Sequence, residues 1–395
     1  MVSKEMWALG ANRSVIRDLF EYGLKQAEIV GSENVFDYSL GNPSIPSPDA
    51  VNDAIRAILD DTDSIKVHGY TSAIGDFETR KAIADDLNNR YNAGIRPENL
   101  FICCGAAPGL IAIMRALAAT KDAEFVAIAP YFPEYKPFAT CAGGKLVVVP
   151  ADTEHFQINL EALEAAITPN TQAVIVNSPN NPAGTVYTAE TITALGQLLT
   201  RKGEEYGHPI YILADEPYRE LVYDGVEVSF IPNLYKNTIV CYSYSKSLSL
   251  PGERIGYICV PDACEDSKEL YAAVAGAARA GGHVCAPSLW QKVIARCAHL
   301  RPDLAAYDKN RKELQDGLTK MGYTMASPDG AFYLFVKAPG GDDIAFSDKA
   351  KAKNLLVVPG TGFGCPGWFR ICYCVSHDMI MRSLPVFAEL MEQSK

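Results

Sequence analysis

The 395-residue sequence lacks several features that would place it in a specialised class of proteins. No run approaches the roughly 18 apolar residues of a membrane-spanning helix, and the N-terminal residues lack the apolar stretch of a signal peptide. We find no long block of one charge, no internal repeat and no low-complexity tract, which argues against disorder and against a surface for nucleic acid or anionic membranes. We therefore expect a cytoplasmic globular protein that binds neither nucleic acid nor membrane.

Metal-binding patterns are also missing from the sequence. The six histidines are scattered, and no two pairs of cysteines have the spacing of a zinc ribbon, so we expect no metal site. The eleven cysteines are an odd number, and several lie in apolar runs such as Phe101–Cys104 and Ile371–Cys374. This pattern favours buried free thiols in a reducing compartment over a disulfide framework.

The composition is that of a large globular protein, with 48% hydrophobic and 21% charged residues and a net charge of -11. From residue 100 onward, short apolar runs alternate with segments of helical periodicity, which is typical of strand–helix units around a mostly parallel sheet. The sequence therefore predicts an α/β fold with a doubly wound sheet. The predicted strands are Leu100–Cys104, Phe125–Ala129, Lys145–Val149, Ala173–Asn177, Ile210–Ala214, Thr238–Tyr242 and Ile255–Val260. Predicted helices between them include Asp76–Tyr91, Gly109–Ala119, Leu160–Ile167 and Ala189–Lys202.

The pattern changes after about residue 286, where two long helical segments precede short strands and a closing helix from about Asp378. The short strands are predicted at Ala331–Phe335, Leu355–Val358 and Phe369–Cys374. The first 48 residues, with one helical pattern at Val15–Val30, are too short for a domain of their own. We predict a large domain at 49–286 and a smaller α+β domain formed by 1–48 and 287–395.

One of the predicted strands is followed directly by a lysine. Lys246 ends the passage Cys241–Lys246, and Arg254 follows shortly after it. Desolvation at the strand end and a neighbouring cation would both lower the pKa of the Lys246 amine and favour its neutral, nucleophilic form. A surface lysine beside a turn is the alternative, and this passage alone leaves it open.

Three other strand ends carry candidate functional residues. Asp215 follows Ile210–Ala214 and could keep a pyridine nitrogen protonated, although a helix N-cap is the alternative. Asn181 lies in a turn after Ala173–Asn177, where it could donate a hydrogen bond to a phenolate-like oxygen or only shape the turn. The loop Gly105–Ala107 could bring backbone N–H groups to a phosphate, or it could only allow close helix packing.

Taken together and in order, these residues resemble the class I and II aminotransferases of fold type I over nearly the whole chain. The set consists of Gly105, Ala106, Ala107, Asn181, Asp215, Tyr218, Ser243, Lys246, Arg254 and Arg370. The resemblance implies the fold of PLP-dependent transferases of type I, in which a large doubly wound domain binds pyridoxal 5′-phosphate (PLP) beside a smaller α+β domain. It implies that Lys246 holds PLP as a Schiff base and moves a proton between the substrate α-carbon and the cofactor.

The same resemblance assigns residues to the cofactor ring. Asp215 matches the partner of the pyridinium nitrogen, and Tyr218 and Asn181 match the pair that hydrogen-bonds the ring oxygen. Phe132 matches the aromatic side chain that stacks on the ring, with a core phenylalanine as the alternative.

Further residues match the phosphate site of the family. The amides of Ala106 and Ala107, the Ser243 hydroxyl and the Arg254 guanidinium would hold the phosphate, and the two alanines can contribute only their backbone. Tyr70 matches the tyrosine that reaches the phosphate of the neighbouring subunit. The resemblance therefore implies a homodimer with shared active sites.

The substrate would be held mainly by Arg370, which matches the arginine that binds the α-carboxylate of the substrate through two parallel hydrogen bonds. Gly41 and Asn181 correspond to residues beside that carboxylate. Arg279 lies roughly where dicarboxylate-specific relatives bind a distal carboxylate, although a cation at a helix end is an equal alternative.

The implied activity is a ping-pong transfer of an amino group from an L-amino acid to a 2-oxo acid, with aspartate and 2-oxoglutarate as a candidate pair. A PLP-dependent carbon–sulfur β-lyase uses the same constellation and is the main alternative. A PLP-sensing regulator is disfavoured because the sequence before the main pattern is too short and not basic enough for a DNA-binding module.

Overall fold

The structure is a computed structural model that describes residues 2–11 and 14–394. The helices are α1 (Lys4–Ala11), α2 (Val15–Val30), α3 (Asp49–Asp61), α4 (Ser64–His68), α5 (Phe77–Tyr91), α6 (Ala106–Leu117), α7 (Tyr135–Ala142), α8 (Leu160–Ala166), α9 (Ala189–Tyr206), α10 (Tyr244–Ser247), α11 (Ser267–Ala280), α12 (Ser288–Cys297), α13 (Ala305–Met321), α14 (Asp343–Lys351) and α15 (His377–Glu392). The strands are β1 (Phe36–Asp37), β2 (Leu100–Cys103), β3 (Glu124–Ile128), β4 (Lys145–Val149), β5 (Thr171–Asn177), β6 (Tyr211–Asp215), β7 (Thr238–Ser243), β8 (Gly256–Cys259), β9 (Tyr333–Lys337), β10 (Leu355–Leu356), β11 (Val358–Pro359) and β12 (Trp368–Cys372).

A seven-stranded sheet in the order β2-β8-β7-β6-β5-β3-β4 forms the centre of the fold. All its neighbouring strands are parallel except for β8, which pairs antiparallel with both β2 and β7. The predicted α/β class and mostly parallel sheet are therefore confirmed. Because β5, β6 and β7 are parallel neighbours, their carboxyl ends meet at one edge of the sheet, which is where such sheets bind ligands.

The central strands are buried along almost their whole length and are mostly apolar, because both faces of the sheet are covered. In β6, Ile212 and Ala214 belong to one buried cluster, whereas Tyr211 and Leu213 belong to the cluster on the opposite face. This alternation follows from the two-residue period of a strand. The sheet is thereby held rigidly between two helical layers, and its edge can position side chains precisely.

A third buried cluster surrounds a three-stranded antiparallel sheet in the order β11-β12-β9. Strand β1 pairs with β10, so the N-terminal segment lies against the C-terminal part of the chain. Helix α12, in contrast, contributes Val293 and Ile294 to the core of the large sheet. The division of the chain into domains at residues 48 and 286 stays a prediction.

Several elements differ from the sequence prediction at their ends. Helix α6 begins at Ala106 rather than at Gly109, because Pro108 is tolerated in the first turn of a helix, where its missing N–H has no partner to lose. The predicted strand Leu355–Val358 is divided into β10 and β11, which belong to different sheets. Helices α1, α3, α4, α7, α10, α11 and α14 were not among the predicted helices. Among the described residues, no helix has the length and apolar character needed to cross a membrane.

Candidate active site

A cavity of about 290 Å³ opens at the carboxyl edge of the central sheet. It brings together most of the residues singled out in the sequence. The predicted residues that line it are Gly41, Ala106, Ala107, Phe132, Asn181, Asp215, Tyr218, Ser243, Lys246, Arg254 and Arg370. The cavity is also lined by residues that the sequence did not single out, among them Tyr333, Ser245, Leu40 and Phe138.

Lys246 lies in the short helix α10, which starts directly after β7. Its Nζ donates a hydrogen bond of 2.6 Å to the backbone carbonyl of Gly41. Burial lowers the pKa of Lys246, and the charges of Arg370 and Arg254 add to this effect against opposing contributions from two nearby cysteines. The amine is therefore closer to its neutral, nucleophilic form than an ordinary lysine.

Asp215 ends β6 and is buried, with 5% of its surface exposed. Its Oδ2 accepts a hydrogen bond of 2.6 Å from the Tyr135 hydroxyl, while its Oδ1 has no partner among the described residues. Burial raises the pKa of Asp215 to about 7, with a further rise from Glu216 and an opposing effect of Tyr135. Residues 217–220 form turns rather than a helix, so the N-cap alternative is wrong. The structure leaves one buried carboxylate oxygen free on a residue that lines the cavity.

Arg370, in the middle of β12, is 2% exposed and is held from two sides. Its Nη1 donates to Asn181 Oδ1 at 2.9 Å and its Nη2 donates to the Ser39 carbonyl at 2.5 Å. The guanidinium also lies over the Tyr333 ring, 4.8 Å from its centre, while Nε has no partner in the described part of the chain. A buried cation without a carboxylate partner is costly, so this arrangement favours a bound anion.

Asn181 is fixed by the turn that follows β5. Its backbone N–H donates to Asn177 Oδ1 at 2.7 Å, and Asn177 in turn donates to the carbonyl of Asp215 at 2.8 Å. Because the Asn181 amide oxygen accepts from Arg370, its NH₂ group is oriented as a donor. The asparagine therefore links the strand end that carries Asp215 to the strand that carries Arg370.

Tyr218 and Tyr333 form a pair of buried phenols, with their hydroxyl oxygens 2.7 Å apart. Burial raises the pKa of Tyr218, so its hydroxyl stays protonated and can donate a hydrogen bond. A Cβ atom on Gly41 would lie 2.5 Å from the Tyr333 hydroxyl, so this position requires glycine. Tyr333 thus contacts three predicted site residues, although no sequence motif pointed to it.

The loop before α6 forms a second anion-binding corner of the cavity. Gly105 caps the helix with φ of 93°, and a Cβ atom there would lie 2.5 Å from Arg254 Nη2. Arg254 therefore lies beside the N-terminus of α6, where Ala106 and Ala107 present backbone N–H groups, and Ser243 adds a buried hydroxyl. A helix N-terminus next to a guanidinium is a favourable site for a phosphate.

Apart from Gly105, whose neighbour Ala106 lines the cavity, two predicted residues lie outside it. Tyr70 is 88% exposed, and Arg279 is exposed in the last turn of α11, where a cation interacts favourably with the helix dipole. Neither lines the cavity of its own chain. Phe132 does line it, with its ring edge-on to Tyr135 at 5.7 Å between centroids.

Comparisons with known proteins agree with this geometry. A sequence profile described as "Aminotransferase class I and II" matches residues 33–384. The aspartate aminotransferase of Thermotoga maritima is 29% identical over 91% of this chain and 92% of the relative, and the aspartate/prephenate aminotransferase of Thermus thermophilus is 29% identical over 89% of each. A crystal structure of an amino transferase from Eubacterium rectale has a TM-score of 0.98 at 56% identity and covers 100% of this chain and 99% of that chain. The aspartate aminotransferase of Thermus thermophilus with maleate has a TM-score of 0.85 at 26% identity, covering 99% of each chain.

Proposed function

Since this chain belongs to the class I and II aminotransferase family and is a transaminase, we propose that its cavity binds PLP as the cofactor. The observation that carries the proposal is the buried Asp215 carboxylate, whose Oδ1 has no protein partner in the described chain. An unpaired buried carboxylate oxygen is costly unless a ligand satisfies it. A protonated pyridine nitrogen is a donor and a cation, and it fits this position in both respects.

The other end of the cavity fits the cofactor phosphate. Arg254, the first turn of α6 and the Ser243 hydroxyl provide a cation, backbone donors and a side-chain donor around one corner. Two alanines at the helix start leave room for an anion to approach the backbone. Phe132 would pack against the ring, and Asn181 and Tyr218 would donate to its oxygen.

Bound PLP supplies an electron sink for the negative charge that develops at the substrate α-carbon when its proton is removed. Lys246 is the residue we assign to hold the cofactor and to move that proton. Burial lowers the pKa of its amine, and the hydrogen bond from Nζ to the Gly41 carbonyl holds the amine beside another residue that lines the cavity. Asp215 would hold the ring nitrogen in its protonated form.

Arg370 would bind the α-carboxylate of the amino acid and then that of the oxo acid, as a ping-pong reaction requires. The hydrogen bonds from its two Nη atoms to Asn181 and Ser39 fix the plane of the guanidinium before substrate arrives, while Nε has no partner among the described residues. A preorganised bidentate donor lowers the entropic cost of orienting the substrate. Tyr333 supports this plane from one face.

We assign aspartate and 2-oxoglutarate as the substrate pair, because several relatives are named for aspartate. Arg279 would then bind the distal carboxylate of a neighbouring subunit's substrate, since it lies outside the cavity of its own chain. Replacing Arg279 with alanine should lower kcat/KM for aspartate about 10- to 100-fold, the usual cost of one lost charge-assisted contact, with little effect on neutral or aromatic amino acids.

The measurement is a panel of amino acids with 2-oxoglutarate, in which glutamate is quantified against pyruvate and ammonia. Arg56→Ala, at an exposed arginine paired with Asp53, is the matched control and should behave as the wild type. An equal loss on all amino acids would contradict the role of Arg279. Pyruvate and ammonia without an oxo acid would instead indicate β-elimination.

We also propose that the active unit is a homodimer, in which Tyr70 reaches the phosphate corner of the partner. Its side chain is 88% exposed in the single chain, and helix α1 has no buried residue although it presents Met6 and Trp7. Such exposed apolar surface is typical of an interface between chains.

Hybrid dimers test this arrangement. Lys246→Ala and Tyr70→Ala subunits, each impaired alone, should regain about a quarter of wild-type activity when mixed and exchanged, because half of the dimers then contain one intact site of two. The control is the mixture kept without exchange, which should show the mean of the two parents. If the exchanged mixture also shows only that mean, Tyr70 does not act across the dimer.

A further inference from the structure

Two thiols lie together at the end of the strand that carries Arg370. Cys372 is the last residue of β12, and its Sγ is 3.1 Å from the Sγ of Cys374. Both cysteines are free and buried. Since side chains alternate along a strand, Cys372 lies on the same face of β12 as Arg370, and that face borders the cavity.

The surroundings of the pair connect it to the reacting part of the molecule. Cys374 Sγ is 3.9 Å from the carbonyl of Leu40, a residue that lines the cavity. Burial opposes ionisation of Cys372, but the contact with Cys374 and the charge of Arg370 outweigh it and lower the pKa of that thiol. The thiolate is the form that reacts with oxidants. No step of the proposed transamination uses either sulfur.

We propose that Cys372 and Cys374 form a modification site at which hydrogen peroxide reversibly converts the dithiol into an intramolecular disulfide. The Cys372 sulfur attacks one peroxide oxygen, the O–O bond breaks, and sulfenic acid and one water form. Cys374 then attacks the oxidised sulfur, the S–O bond breaks, and a second water leaves. Two thiols are oxidised by two electrons in total, and one peroxide is reduced to two waters.

Closing this bond would change the site through β12. The two side chains must approach each other, and β12, which carries Cys372, also carries Arg370, whose guanidinium is held by Asn181 and Ser39. A small displacement of a substrate-binding group can lower turnover strongly, so we expect a loss of about tenfold or more. Reduction of the disulfide should restore the original geometry and the activity.

The test treats the holoenzyme with hydrogen peroxide, unfolds it in the presence of iodoacetamide so that buried free thiols are also alkylated, and analyses the tryptic peptide Ile371–Arg382, in which these are the two cysteines. We expect both cysteines to escape alkylation until dithiothreitol is added, and activity to fall and return in parallel. Cys372→Ser and Cys374→Ser should each keep their own activity through the peroxide treatment. Cys141→Ser, at an exposed cysteine, is the matched control and should be inactivated like the wild type.

Alkylation of both cysteines in inactivated protein would overturn the proposal, as would inactivation of both serine variants to the extent seen in the wild type. A disulfide that forms without any loss of activity would overturn its connection to Arg370. Because the peptide analysis detects the covalent bond itself, its result does not depend on the proposed cofactor or substrate.

Discussion

Lys246→Ala should lower the rate of transamination by about 10⁴-fold or more, since it removes both a covalent anchor and a general acid–base group. The described lining of the cavity offers no second amine that could substitute for it, because its other cations are the guanidinium groups of Arg254 and Arg370. Arginine stays protonated at neutral pH and cannot act as a base. The measurement is the single-turnover rate with aspartate or with another amino acid that the wild type accepts.

Two controls separate this effect from a loss of structure. Lys145→Ala, at an exposed lysine paired with Asp122, should keep the wild-type rate. The melting temperature of the Lys246→Ala protein without cofactor should stay close to that of the wild type, because the desolvation that lowers the pKa of the amine also offsets the packing of its side chain. A variant that keeps one tenth of the wild-type rate would show that another group moves the proton.

Asp215→Asn should lower the same rate by about 10²- to 10⁴-fold, because it removes a charge from a buried site while keeping the size and the hydrogen-bond acceptor for Tyr135. An uncharged amide cannot hold a pyridine nitrogen in its protonated form. The cofactor should also dissociate more readily from this variant, which equilibrium dialysis can measure.

The same substitution predicts a change in stability with pH for the protein without cofactor. Burial raises the pKa of Asp215 from 3.8 to about 7, so between these values the folded protein keeps a proton that the unfolded chain releases. The contribution of protonated Asp215 to the free energy of unfolding is therefore fully present below about pH 4 and is lost as the pH rises through about 7. Relative to Asp215→Asn, the wild-type melting temperature should fall across this window. If the melting temperatures of the two proteins change with pH in the same way, Asp215 is not a buried carboxyl group with a raised pKa.

In the loaded enzyme this difference should become smaller. A ring cation next to the carboxylate favours its charged form and lowers its pKa, opposing the effect of burial. The pH window of the wild-type protein would then shift downward on addition of PLP, and the Asn variant would show no such shift. This comparison of melting temperatures detects the ionisation of Asp215 without measuring enzyme activity.

The sequence was informative about the site where the chemistry lies at strand ends. Asn181, Asp215 and Lys246 each follow a predicted strand, and parallel strands that are neighbours in the sheet bring such residues to one edge. The prediction therefore needed only the strand order, which the alternation of strands and helices constrains.

Residues that reach the site through long-range contacts were missed. Tyr135 contacts Asp215 across 80 residues of sequence, and Tyr333 contacts Tyr218 across 115. Tyr333 lies in an apolar strand and Tyr135 starts a short helix, and an ordinary core role explains each of them equally well. Their function depends on how the antiparallel sheet and α7 pack against the central sheet, which local patterns do not encode.

The predicted boundaries of the short strands were wrong for a related reason. The run Leu355–Val358 is uniformly apolar, but its pairing partner changes after Leu356, so that β10 pairs with β1 and β11 with β12. Tertiary pairing with a distant segment decides such a division. The positions of Tyr70 and Arg279 are a different case, since their predicted roles need a second chain.

The most direct test of the account is to find where PLP is attached. Wild-type holoenzyme should be treated with sodium borohydride, which fixes a carbon–nitrogen double bond, and then digested with trypsin. We predict that the cofactor is recovered on the peptide 237–254, with cleavage blocked at Lys246. Cofactor recovered on another lysine, or no attachment at all in protein that retains transaminase activity, would contradict the assignment of Lys246.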